Sequence, residues 1–156
     1  IAAFIIITLY SVRTVFRAND FKNSKNLWFA TRKTAPYSYR VYNNLGDVYA
    51  DEKNYELAID NFKRSVALKP DYADAVHNIG YIYAQTGDIE KAKKYLTQAI
   101  TMNPRLFQSS FKLGEIYYTE GDYSKAKEYF LMCVKADPEN QGCNSYLTKM
   151  AQEGKQ

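Results

Sequence analysis

Apolar side chains recur along most of this chain at intervals of three and four, the spacing that lays one stripe along a helix. The stripes are grouped, and the grouping repeats. Leu45, Ile79 and Leu113 stand 34 residues apart, as do Tyr49, Tyr83 and Tyr117. Gly46, Gly80 and Gly114 keep the same step, and so do Pro36, Pro70, Pro104 and Pro138. A period of 34 fits a repeated helix–turn–helix unit. With Gly46 placed eighth, three full units run over 39–72, 73–106 and 107–140.

In each unit a first helix, A, carries large apolar residues at positions 7 and 11, on either side of the glycine. A second helix, B, carries small residues at position 20 (Ala58, Ala92, Ala126) and position 27 (Ser65, Ala99, Cys133). Position 24 is large: Phe62, Leu96, Phe130. Small residues let two helices approach closely, and large ones fill the space beside them. Glycine inside a helix costs roughly 1 kcal/mol relative to Ala. Its recurrence at one column implies that close approach outweighs that cost. Gly87-Asp88 and Gly121-Asp122 mark the A–B turn, where glycine can take positive φ. The first unit has Lys53-Asn54 there, and Asn54 is expected to adopt that conformation. Each proline then ends a helix B.

The two ends differ from the repeats. Residues 141–156 resemble a lone helix A with a tail, with Leu147 and Ala151 in its apolar columns and Thr148 in place of the glycine. Its outer face is polar (Asn144, Lys149, Gln152, Glu153), as a capping helix requires. Residues 19–38 fit helix B of a degenerate half-repeat, with Ser24, Trp28 and Thr31 in its columns and Pro36 at its end. The matching helix A would be residues 1–18, IAAFIIITLYSVRTVFRA. The apolar run over 1–10 is shorter than the roughly 20 residues a bilayer span needs. Residues 1–12 are therefore expected to be the end of a transmembrane helix that runs on as the first helix of the array, in a chain that is a fragment of a longer protein. A buried apolar first helix is the alternative. A signal peptide is disfavoured, because no small-residue cleavage site follows.

Charge supports a membrane over a nucleic acid. Residues 1–38 hold six basic residues (Arg13, Arg17, Lys22, Lys25, Arg32, Lys33) and one acid, Asp20, for +5. Residues 39–156 come to −1, so no basic surface runs along the repeats. The excess sits beside the apolar N-terminus. The two cysteines, Cys133 and Cys143, have neither metal-ligand spacing nor a disulfide framework. Cys133 falls in a small-residue column, so a packing role is expected. The single histidine, His77, has no serine or cysteine partner at motif spacing, and a solvated or groove-lining role is expected. No phosphate loop, paired metal motif or nucleophile elbow occurs, so no catalytic residue, cofactor or metal is expected.

Y-x-x-L-G-x-x-Y in the first unit, and G-D-x-x-x-A with a helix-ending Pro in the next two, resemble the tetratricopeptide repeat family over 39–140. The resemblance implies an all-α solenoid, a right-handed superhelix of antiparallel helix pairs, with a membrane-type helix at one end and a cap at the other. A second pattern runs through Arg17-Ala18-Asn19, Leu27-Trp28, Pro36-Tyr37-Ser38-Tyr39-Arg40 and Asn44-Leu45-Gly46. It resembles the junction in multi-span membrane glycosyltransferases of the protein O-mannosyltransferase kind, where the last membrane helix leads into a repeat array. That implies a catalytic half outside this chain.

In the repeat family, helix A positions 2, 5, 6, 9, 12 and 13 build a concave binding face. Position 6 reads Asn44, Asn78, Lys112, which looks like the asparagine ladder that grips a peptide backbone in related repeat proteins. Asn can donate and accept at once. The alternative is a row of solvated polar residues. Position 9 reads Asp47, Tyr81, Glu115, and Phe111 and Tyr118 stand at positions 5 and 12 of the third unit. These aromatics are either partner anchors or packing for the capping helix. A clamp for a chaperone's C-terminal carboxylates is disfavoured. Asn43 and Asp47 stand where its Lys and Asn belong, and Gln108 replaces a Lys.

The expected function is a membrane-tethered, non-catalytic module that binds an extended protein segment in the groove. One version presents acceptor protein to a membrane glycosyltransferase. The rival is an assembly scaffold anchored by residues 1–18, and self-association through solenoid ends is a third. The basic residues after the apolar run favour a cytoplasmic array, whereas the resemblance favours the periplasmic or lumenal side. Replacing Gly80 by Leu should force its two helices apart and cost on the order of 1–3 kcal/mol. Urea unfolding checks this, and an unchanged midpoint would refute it.

Overall fold

The computed structural model describes residues 24–154. Among these, all regular structure is helical: α1 (Ser24–Thr34), α2 (Tyr39–Asp51), α3 (Tyr55–Leu68), α4 (Ala73–Gln85), α5 (Ile89–Met102), α6 (Phe107–Glu120), α7 (Tyr123–Ala136) and α8 (Gln141–Gln152). The membrane reading of residues 1–18, and residues 19–23 at the start of the half-repeat, lie outside the described residues. Among the described residues no helix is long and apolar enough to cross a membrane.

The chain divides into two compact units, Ile1–Leu68 and Lys69–Gln156. In the first, α2 packs on α3 around Val41, Leu45, Ala58 and Phe62, all buried. Helix α1 lies against α2, with the Phe29 and Tyr49 rings edge to face at 6.4 Å. Lys25 Nζ donates to the Glu52 carboxylate at 2.7 Å across the same contact. In the second unit α4 pairs with α5 and α6 with α7, while α8 lies on α7. Its core joins Leu96, Ile100, Leu113 and Ile116 in one cluster. Phe130, Cys133, Cys143 and Met150 form another.

The three glycines explain the pairing distance. A Cβ on Gly46 would stand 2.5 Å from Phe62, and one on Gly114 would stand 2.5 Å from Phe130. On Gly80 it would meet the Leu96 side chain at 2.9 Å and its backbone nitrogen at 3.0 Å. Carbon atoms rest about 3.5–4.0 Å apart, so no side chain fits at these columns. The position-11 tyrosines take a part the pattern did not reveal. Tyr83 stacks on Tyr95 at 5.5 Å and Tyr117 on Tyr129 at 5.4 Å, closing each pair at its edge.

Two expectations are corrected. The positive φ of the first turn belongs to Lys53 (58°), in register with Gly87 and Gly121 (both 83°), and not to Asn54. Asn54 instead does what Asp88 and Asp122 do. Its Oδ1 accepts from the Leu57 amide at 3.3 Å, as theirs accept from Lys91 and Lys125 at 3.2 and 3.1 Å. A side-chain oxygen is needed there because the first amides of a helix have no partner within it. The second correction is covalent. Cys133 and Cys143 form a disulfide, with Cα atoms 6.3 Å apart, so Cys133 is more than a packing residue.

Lys53 is exposed, and a residue with a Cβ in the left-handed region is strained by about 1–2 kcal/mol. Lys53→Gly removes that strain and adds some unfolded-state entropy. The net gain should be up to about 1 kcal/mol, seen as a higher urea midpoint. A lower midpoint would show that the turn is unstrained.

Candidate functional site

Pairing A against B leaves one side of α4 and α6 open in the second unit, and α8 adds to it. A cleft of about 390 Å³ lies there. Ala84 and Gln85 border it from α4, and Lys112, Glu115, Ile116 and Thr119 from α6. Tyr146 of α8, Ile89 of α5 and Glu120 complete it.

The charges are internally matched. Lys112 Nζ donates to Glu115 Oε2 at 2.6 Å and lies 5.3 Å from the centre of the Tyr81 ring. Gln85 Nε2 donates to the Tyr81 hydroxyl at 3.0 Å. Lys93 of α5 holds Glu120 at 2.6 Å on the rim. Tyr81 is still 40% exposed, a large ring presented to solvent beside an ion pair.

The remaining expected site residues fall into two groups. Phe111 and Tyr118 pack under the cap. Tyr146 meets the Phe111 ring at 5.9 Å and the Tyr118 ring at 5.3 Å, both edge to face. Glu153 accepts from the Tyr118 hydroxyl at 3.0 Å, and Lys149 lies 5.3 Å from that ring. His77 turns inward. Its Nδ1 shares a 2.8 Å hydrogen bond with Ser109 Oγ, joining α4 to α6. Burial pushes its pKa down to about 4, Asp74 opposes this in part, and Lys112 adds to it. Ser109 is fully buried, so this serine–histidine pair has no access to a substrate. Asn78 lies half-buried on α4.

In the first unit, Asn43 Nδ2 donates to Asp47 Oδ2 at 3.1 Å. The two residues standing at the carboxylate-clamp columns thus bond to each other. Asn44 Nδ2 donates back to the Arg40 carbonyl at 2.7 Å, within its own helix. Pro36, Tyr37, Tyr42 and Leu68 line a separate apolar cleft of about 270 Å³ in this unit.

Sequence reasoning passed over Tyr146, Gln85 and the inward side of Lys149 and Glu153. Extending the 34-residue frame puts Tyr146 at position 6 and Lys149 at position 9 of the cap, both groove columns. The signal was present once the cap was treated as a fourth helix A. Among the described residues no group of His, Cys, Asp or Glu is placed to hold a metal ion.

Antiparallel helix pairs with small residues at their contacts, capped by a single helix, define a helical-repeat module. Two family models described as tetratricopeptide repeat match residues 37–105 and 77–140. Together they run unbroken over 37–140, about two thirds of the chain. The chain belongs to the tetratricopeptide repeat family. Its fold is similar to the first TPR of Spaghetti (RPAP3) bound to the HSP90 peptide SRMEEVD, with a TM-score of 0.68 at 18% identity over 74% of this chain and 92% of that one. It is similar to the Arabidopsis OM64 TPR domain, with a TM-score of 0.68 at 14% identity over 74% and 96%. It also resembles the Sgt2 TPR domain from Aspergillus fumigatus, with a TM-score of 0.66 at 20% identity over 74% and 78%. No curated protein matches the sequence. None of these matches bears on the glycosyltransferase resemblance.

His77 gives a pH signature. Its folded pKa of about 4 lies below the ordinary 6.5, so between these values the unfolded chain holds a proton that the folded chain lacks. Stability should therefore fall as pH drops from about 6.5 to 4 and then level off for this group, by about 3 kcal/mol in all. Urea titrations of the wild type and His77→Gln across this range check it. Parallel pH profiles for the two proteins would refute the assignment.

Proposed function

We propose that this chain is a protein-interaction module whose second unit binds an extended segment of a partner in the cleft between α4, α6 and α8. The carrying observation is the exposed Tyr81 ring, bonded to Gln85 and beside the Lys112–Glu115 pair, three residues that line a cleft walled by Tyr146. An aromatic face next to matched charges suits a peptide that brings an apolar side chain and backbone polar groups. It suits an acidic terminus poorly, because Glu115 already neutralises Lys112. In the first unit, Asp47 would also repel such a terminus. The peptide bound by Spaghetti carries two glutamates and an aspartate, so a different partner chemistry is proposed for this chain. Asn78 contributes to backbone recognition in this proposal, whereas Asn44 belongs to the first unit, where its amide serves the Arg40 carbonyl.

Membrane attachment through residues 1–18 remains part of the proposal, carried by the apolar run Ile1 to Tyr10. The version in which the array presents acceptor protein to a membrane glycosyltransferase rests on the sequence pattern over 17–46.

Peptides selected from a random displayed library against the full chain test the cleft. Tyr81→Ala and Lys112→Ala should each weaken the selected peptides about tenfold, roughly 1.4 kcal/mol, and Asn78→Ala should weaken them less. Melting temperatures should stay unchanged. Peptides that bind all three variants as tightly as the wild type would overturn the assignment.

A further inference from the structure

Within the second unit, column 27 holds Ala99 and Cys133, and column 3 of the helix that follows each holds Ser109 and Cys143. All four are fully buried. They lie on a helix B and on the helix A that packs after it. Only at the last such contact are both residues cysteine, and there they are joined. The bond spans 10 residues and ties α7 to the first turn of α8. Among the described residues α8 packs on α6 and α7, and a helix held on one side frays more readily than one held on two. The cross-link adds a covalent tie to that packing.

We infer that Cys133 and Cys143 are a site of oxidative modification, and that this array matures and works in a disulfide-forming compartment, where the cross-link locks the cap. Two protein thiols give up two electrons and two protons to a disulfide-bearing oxidant. One Cys thiolate attacks the oxidant's sulfur, giving a mixed disulfide and expelling one oxidant thiol. The second Cys thiolate then attacks the mixed disulfide, forming the internal S–S bond and releasing the oxidant as its dithiol. Both sulfurs are sealed in the folded unit. The exchange therefore takes place before α8 docks, and the finished bond is shielded from small reductants. Disulfides of this structural kind persist outside the reducing cytosol. The chemistry decides between the two sides that charge and resemblance left opposed. It stands whether or not the cleft binds a peptide.

Thiol trapping in the cells that make the protein tests the compartment. Acid quenching is followed by denaturation in N-ethylmaleimide, then by reduction and labelling with a heavier maleimide. Neither cysteine should carry the first label, and both should carry the second. Two cysteines carrying the first label would overturn the inference. The lock is tested on the purified full chain. Complete reduction, verified by mass, should lower the melting temperature by about 5–10 °C. Cys133→Ala/Cys143→Ala should melt at that lower temperature with or without reductant. A wild type that melts unchanged after complete reduction would show that the bond locks nothing.

Discussion

The contact of a glycine on one helix with a large side chain on the next governs this molecule. Phe62, Leu96 and Phe130 each occupy the space a Cβ would need at Gly46, Gly80 and Gly114. Because the residues at position 20 are also small and buried, the two backbones come close enough for the large ring or branch to be fully enclosed. Burying such a side chain contributes about 1.5–3 kcal/mol relative to exposure. Each pair repeats that gain without any contact distant in sequence. The same close approach commits positions 7, 8 and 11 to the partner helix. Positions 6 and 9 are therefore turned away from it, and the open face exists because the core columns are fixed.

An array of this kind has an unfinished apolar face at each end. At the C-terminal end, α8 covers the Phe130 cluster with one helix in place of two. Tyr146 stacks on Phe130 at 4.6 Å, Met150 is buried, and the disulfide fixes the first turn. The polar residues Lys149 and Glu153 do not simply face solvent. They hold Tyr118 from the groove side, so the cap finishes the core and extends the groove at once.

The fold was legible because its period aligned core columns, turns and breaks. Each proline falls after the helix it was expected to end, at Thr34, Leu68, Met102 and Ala136. What escaped were features that a column average hides. Lys53 takes the strained turn position because Asn54 is needed one residue later as the cap, a competition that composition cannot resolve. The His77–Ser109 bond joins columns 5 and 3 of successive repeats, a pairing that appears only when helices are packed. The disulfide was hidden for the same reason. Cysteines 10 residues apart suggest nothing until columns 27 and 3 are seen to meet. The site was legible in its positions and less so in its state. Phe111 and Tyr118 lie on expected columns, yet the cap has engaged them.

That engagement shapes what the open face can recognise. Most of its charged groups have partners within the unit: Lys112 with Glu115, Lys93 with Glu120, Lys149 against Tyr118. A ligand that relied on any one of them would first break a short ion pair or leave its counter-charge exposed, and exposed pairs return little energy in water. Discrimination by net charge is therefore weak here. Tyr81 is different, because its hydroxyl is held by Gln85 and one face of its ring is backed by Lys112. A ring fixed in this way loses little side-chain freedom on contact, which lowers the entropic cost of binding. Recognition on this face then rests on a preset aromatic surface and on the width of the cleft that the cap completes. The bond that holds the cap, although it touches no ligand, belongs to the same physical problem.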